Sequence, residues 1–315
     1  MSKNLKEILV ILGNGFDIAL GMKSSFRDFY DGEFWPFKRE NKISSHRTAS
    51  VLDRFLNINM RENWYDLENL LAQYALSISH KNEATIEADK KCFVELKEAL
   101  IKFVDNAQRK MPNLISLNKA VRFLKAICEF RIPTIYSFNY TGLNEIASLL
   151  GIPDFTYTPV HGTVQTKNIV VGIEDNVKIL PDYDFLKKVS EPTYKSTSLF
   201  YDLMRAKEVV IFGHSLGEND FHFFRRFFQF HSDEMNSDPK NKCKITIFTA
   251  NSKSRMEVLS NLRAMNDGRN NQLFAQNDFQ FMRMAENDSL ALDEFELWMK
   301  NLKETKERIK GISML

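Results

Sequence analysis

Apolar residues recur along this chain at two spacings, and the spacing changes twice. Glu7 to Leu12 reads as a buried strand, an unbroken β-branched run. Asp17 to Met22 then reads as the start of a helix. Ser24-Ser25-Phe26-Arg27-Asp28-Phe29 reads as a cap followed by apolar residues at helical spacing. From about Asn41 to Phe130 the β-branched runs stop. Three series at i, i+3, i+4 and i+7 replace them: Trp64, Leu67, Leu71, Tyr74, Ala75 and Ile78; Phe93, Leu96, Leu100, Phe103 and Val104; and Leu117, Val121, Leu124, Ile127 and Cys128. These series describe amphipathic helices. Strand-like runs return at Pro133 to Phe138, Thr156 to Val160, Ile169 to Ile173, Glu208 to Phe212 and Lys244 to Thr249, with a late edge strand at Asp278 to Met282. Helical patterns separate several of them, at Leu143 to Leu150, Phe200 to Ala206 and Phe221 to Phe230. A terminal helix is expected over Leu290 to Ile309.

Continuous Val/Ile strands alternating with helices predict an α/β fold, a Rossmann-like and mostly parallel sheet covered by helices. The helical block is too large for an ordinary crossover. It is expected as an inserted subdomain over 41–130, after the first βα unit, with the sheet domain built from 1–40 and 131–315. The helix Phe221 to Phe230 is unusually aromatic, which fits either a core helix or one at a subunit interface.

Composition narrows the classes. The 315 residues are 43% hydrophobic and 27% charged, ordinary for a globular protein. Net charge is +2, from 43 basic and 41 acidic side chains, so no global excess of charge favours nucleic acid. Cys92, Cys128 and Cys243 lack metal-ligand spacing and form no even framework, and no metal site is expected. No apolar run approaches the roughly 20 residues of a membrane span, and the N-terminus carries no secretory pattern. The expectation is a cytoplasmic protein.

Glycine is scarce, 12 residues against 26 phenylalanines, so the glycines at Gly13, Gly15, Gly213 and Gly217 stand out. Leu12-Gly13-Asn14-Gly15-Phe16-Asp17 follows the first strand. A strand opening into a glycine turn can bring backbone N–H groups to a phosphate. The third glycine of the dinucleotide fingerprint is replaced by Ile18, and no acidic residue follows a second strand about 20 positions on. An ordinary hydride-transfer domain is therefore not expected. Asn14 and Asp17 stand where side chains reach a ligand at the sheet's carboxyl edge. Asp17 equally suits a helix N-terminus.

Ser137-Phe138-Asn139-Tyr140-Thr141 ends a later strand, and His161-Gly162 follows the next. An amide such as Asn139 can both donate and accept, and an imidazole such as His161 can act as a base near neutral pH. Glu68 flanks the apolar stripe of its helix, where it either reaches a pocket or pairs with a basic residue. Phe212-Gly213-His214-Ser215-Leu216-Gly217 again places small residues at a strand end, and Asn219 or Asp220 suits the N-cap of the next helix. The Gly-His-Ser-Leu-Gly run matches an esterase elbow only superficially, because the later histidines, His222 and His231, lie close by on a helix.

Taken in order, Gly13-Asn14-Gly15-Phe16-Asp17, Trp64-Tyr65-Asp66-Leu67-Glu68, Ser137 to Thr141, His161-Gly162 and Phe212 to Asp220 resemble the bacteriophage abortive-infection AbiH family. That resemblance implies a sirtuin-like NAD-binding fold. In sirtuins a glycine turn, a strand-end asparagine and a His-Gly form the NAD pocket. Gly13 and Gly15 match the turn, Asn139 the asparagine and His161 the catalytic histidine. The ribose-binding aspartate of that pattern is replaced by Thr141, and the zinc-binding cysteine quartet is absent, so deacetylation is not expected. The resemblance instead implies a phage-defence protein that binds NAD and hydrolyses it at the nicotinamide–ribose bond, or a non-catalytic nucleotide-binding sensor. The expected catalytic pair is Asn139 and His161. The expected cofactor-binding residues are Gly13, Asn14, Gly15, Phe16, Asp17, Glu68, Gly213, His214, Ser215 and Asp220. Expected partners are a nucleotide small molecule, a phage-derived trigger and a second copy of the chain, with neither membrane nor nucleic acid.

Overall fold

The computed structural model describes residues 8–37, 50–60, 66–79, 82–112, 118–130, 134–284, 294–302 and 304. Trp64 and Tyr65, Leu117, Pro133 and the ends of the expected tail helix lie outside them.

Among the described residues six strands form one sheet: β1 (Ile8–Leu12), β2 (Thr134–Ser137), β3 (Thr158–Pro159), β4 (Glu208–Phe212), β5 (Lys244–Thr249) and β6 (Asp278–Arg283). Their order is β3-β2-β1-β4-β5-β6, and every pairing is parallel. This is the order common to dinucleotide-binding α/β domains, whose ligand crevice opens where the strand order reverses, here between β1 and β4. β1 and β4 are buried along their whole lengths, as strands covered on both faces must be.

Alternation along β1 assigns the two faces. Ile8, Val10 and Leu12 join a core with α6 (Lys119–Phe130), α7 (Leu143–Leu149) and the helical residues 294–302. Leu9 and Ile11 join a core with α8 (Leu199–Arg205), α9 (Phe221–His231), α10 (Ser252–Met265) and α11 (Asn270–Gln276). The aromatic helix α9 is a core helix: Phe221, Phe224, Phe227 and Phe228 are buried against the sheet.

Between β1 and β2 run α1 (Asn14–Ala19), α2 (Phe26–Asp31), α3 (Val51–Asn59), α4 (Leu67–Ser77), α5 (Glu83–Arg109) and then α6. Ser25 caps α2 with a reciprocal capping box to Asp28. The packing draws the edges of the helical block differently from 41–130. Phe29, Trp35 and Phe37 belong to its core, whereas α6 packs on the sheet. The block also recruits Val164 to Leu186 from after β3. The strand expected at Ile169 to Ile173 is absent; Ile169, Val171 and Ile173 fill this second core, and a lone bridge joins Ile173 to Lys187. Buried Asp89 of α5 ties the block together. It accepts the amides of Val51 and Leu52 and the hydroxyls of Tyr74 and Tyr183. Among the described residues no helix is long and apolar enough to cross a membrane.

Candidate functional site

The motifs that follow strands arrive at the carboxyl rim of the sheet, because each stands at the end of a parallel strand. Gly13 follows β1, Asn139 follows β2, His161 follows β3 and Gly213 follows β4. Their loops then fasten to one another. The Val164 amide donates to the Tyr140 carbonyl, and the Val170 amide to the His161 carbonyl. Gly162 permits that second turn: its φ is +71°, and a Cβ there would meet the Asn168 carbonyl oxygen at 2.1 Å.

At the point where the strand order reverses, the two glycine loops touch backbone to backbone. A Cβ on Gly15 would lie 2.7 Å from the Gly213 Cα, and one on Gly13 2.6 Å from the His214 Cα. The Gly13 amide donates to the Phe212 carbonyl, Gly15 to Gly213 and Phe16 to Gly13. Those three amides, and the Gly213 amide with the Phe248 carbonyl, are committed to backbone carbonyls. Phe16 packs inward. Its ring is fully buried, packed against Phe123 and Phe212 beneath the rim. Asn14 is exposed and exchanges hydrogen bonds with Ser24.

Asp17 turns inward and is 1% exposed. Its carboxylate accepts the Asn139 Nδ2–H and the Thr141 hydroxyl, each at 2.8 Å. Burial pushes its pKa up to about 7 against the pull of those two bonds. With Nδ2 tied to Asp17, the orientation of the Asn139 amide is fixed and its Oδ1 is the open end. That oxygen is buried and accepts no hydrogen bond from the described residues.

The second half of the site is an ionic cluster around Lys188, which is 3% exposed. Its ammonium lies 3.0 Å from Glu68 on α4 and 3.1 Å from Glu174. Burial lifts the Glu68 pKa to about 7, even beside Lys188. Glu174 also pairs with His222 at 3.0 Å; burial alone would raise its pKa, but His222 and Lys188 outweigh it and hold the carboxyl below its ordinary range. Asp66 caps α4 through the Asn69 amide.

Asp220 joins the two halves. Its Oδ1 lies 3.3 Å from His161 Nε2 and its Oδ2 lies 3.2 Å from His214 Nε2. Burial opposes its charge, but the two imidazoles and Lys188 hold its pKa well below the carboxylate range. The His161 pKa is lowered by burial and by Lys188, partly offset by Asp220 and Glu174. The Phe138 ring stands against both imidazoles, with centroids 5.4 Å from His161 and 4.4 Å from His214.

His161 opens onto a small pocket. Glu174, Lys188, Tyr194, His222 and Phe223 share its wall, while Asn139 and the glycine turn are not among its lining residues. Ser215 is exposed. His214 cannot serve it as a base, since Nδ1 accepts the Leu216 amide and Nε2 faces Asp220; the esterase arrangement is not formed. Among the described residues no group of three or more His, Cys, Asp or Glu side chains is disposed to hold a metal ion.

Lys188 and Glu174 were not legible as site residues. Lys188 and Glu174 lie in ordinary stretches, Leu186-Lys187-Lys188-Val189 and Gly172-Ile173-Glu174-Asp175, and only the fold brings them to Glu68. Thr141 had a signal in its position two residues after Asn139.

Compared with known proteins, a family model described as Bacteriophage abortive infection AbiH matches residues 9–237, a span from β1 through α9 that holds every residue of the site. No curated protein matches the chain.

Proposed function

We propose that this chain, which belongs to the bacteriophage abortive infection AbiH family and so to phage defence, acts by binding NAD at the carboxyl rim and hydrolysing its nicotinamide–ribose bond. The observation that carries the reading is His161: a buried imidazole held by Asp220, lining a pocket at the rim of a β3-β2-β1-β4-β5-β6 sheet.

The pocket's chemistry suits the leaving end of NAD. Nicotinamide bound to ribose is a cationic pyridinium. Carboxylates such as Glu174 and the aromatic faces of Phe223 and Tyr194 attract such a ring. Bond cleavage passes through an oxocarbenium-like state. A water oxygen bonds to the ribose C1′ as the C1′–N bond breaks. The pair of electrons from that bond returns to the ring nitrogen and nicotinamide leaves neutral. His161 takes the proton that the water gives up. The Asn139 carbonyl oxygen, buried and without a partner among the described residues, is the group left to accept a hydrogen bond from a ribose hydroxyl or from the attacking water.

A second reading keeps the nucleotide and drops the turnover. Thr141, at the position of the missing ribose aspartate, donates its hydroxyl inward to Asp17, which favours a looser hold on the ribose.

Calorimetry with NAD, paired with chromatography of the mixture after long incubation, separates the two. Hydrolysis predicts equal amounts of nicotinamide and ADP-ribose, with the rate lowered on the order of 10²-fold or more in His161→Ala and in Asn139→Ala. Binding without product selects the sensor. Neither heat nor product rejects both.

A further inference from the structure

We infer that Asp220 is a positioning residue shared by two imidazoles, which holds His161 with its proton on Nε2 and so makes Nδ1 the basic nitrogen. The inference deepens the hydrolysis reading and rests on it for what that base does.

Asp220 occupies the N-cap position of α9, yet its side chain makes no cap hydrogen bond. The carboxylate is instead turned onto His161 and His214, one oxygen to each. A bare Nε2 lone pair facing a carboxylate would be repelled, so the proton of each imidazole belongs on Nε2.

For His214 a second observation fixes the same assignment. Its Nδ1 accepts the Leu216 amide at 2.9 Å, so Nδ1 carries no proton. In the same loop Leu216 stands at φ +55°. A leucine in the left-handed region is uncommon and strained. The loop after β4 is thus built to aim the His214 N–H at Asp220.

Asp220 therefore receives one N–H from a fixed donor and has its other oxygen left for His161. When His161 takes a proton on Nδ1 it becomes an imidazolium whose Nε2–H still faces the carboxylate. The charged groups around His161 are Asp220 at the start of α9, Glu174 and Lys188 from the segments after β3, and, through the same cluster, Glu68 of α4. Tyr140, from the loop after β2, stands with its ring centroid 6.4 Å away.

The test is the tautomer and titration of His161, read by NMR in the full-length chain labelled with ¹⁵N-histidine, with a His161→Gln chain to assign its signals. The expected wild-type spectrum shows Nε2 protonated and Nδ1 bare. In Asp220→Asn, His161 titrates at lower pH and samples both tautomers, because the carboxylate that raises its pKa is gone. In His214→Phe it titrates at higher pH, because Phe has no donor and Asp220 then faces His161 alone. Opposite shifts from two neighbouring substitutions are not the signature of a merely structural role. In the nicotinamide assay Asp220→Asn lowers kcat at least tenfold with little change in KM. A proton on Nδ1 in the wild-type chain, or the same titration in all three proteins, overturns the inference. Should the wild type titrate as expected and release no nicotinamide, the hydrolysis reading fails while the positioning of His161 stands.

Discussion

A buried carboxyl with two good donors and a high pKa is an unusual object, and Asp17 is one. Its bonds to Asn139 and Thr141 favour the charged form, but burial wins and places the pKa near 7. The sign of the consequence is fixed. Between its ordinary value of 3.8 and about 7, Asp17 holds more proton in the folded chain than in the unfolded one. Its contribution to stability is therefore fully present below about pH 4 and is lost as the pH rises toward 7. Urea unfolding of the wild type and of Asp17→Asn across that window reads this directly. The variant has no carboxyl at this position to ionise, so the stability difference moves in its favour as pH rises; a constant difference would mean that Asp17 is ionised throughout. Contributions from Asp220 and Glu174, whose pKa values are depressed, run the other way and are common to both proteins.

At the scale of elements, the loops after β1 and β4 are interlocked by three glycines. Gly213 sits at φ +67°, and a Cβ there would meet the Phe16 amide nitrogen at 2.3 Å. Gly213→Ala combines a left-handed backbone with a backbone clash, and is expected to lower unfolding free energy by at least about 2 kcal/mol in urea. A variant within about 0.5 kcal/mol of wild type would show that the loops separate freely. The same elements explain what could be read in advance. β4 and β5 were legible to the residue, because their β-branched and aromatic residues end up buried in a covered sheet, as the pattern expects. Ile169 to Ile173 carries the same pattern and is not a strand, since its apolar residues fill the helical core. Short apolar runs cannot report which neighbour will bury them. The glycine turn was legible as a turn, but its N–H groups met a partner loop some 200 residues away, which no local pattern reveals.

Across the whole molecule, the helical block is fastened over the rim by charge as well as by packing. Lys188 holds Glu68 of α4 on one side and Glu174 on the other, all three largely buried. Removing the ammonium leaves two buried carboxylates facing each other. Lys188→Met is expected to destabilise the fold by about 3–5 kcal/mol, with amide exchange in α4 rising first. Glu68→Gln, which keeps Glu174 on the lysine, is expected to cost less. If α4 exchanges no faster in Lys188→Met, the block is held by its apolar core alone. The closure matters for the proposed chemistry, because it buries Glu68 and Tyr140 beside Lys188, whose ammonium also acts on His161.

The central claim is that His161 and Asn139 work on one ligand from two sides of the rim. A time course of nicotinamide release from NAD by the purified full-length chain, run beside His161→Ala, Asn139→Ala and the double variant, tests it most directly. The account predicts steady release by the wild type, a large loss in each single variant, and a double variant no worse than the more damaged single, as residues acting in one step behave. Release that continues undiminished in both single variants would contradict it.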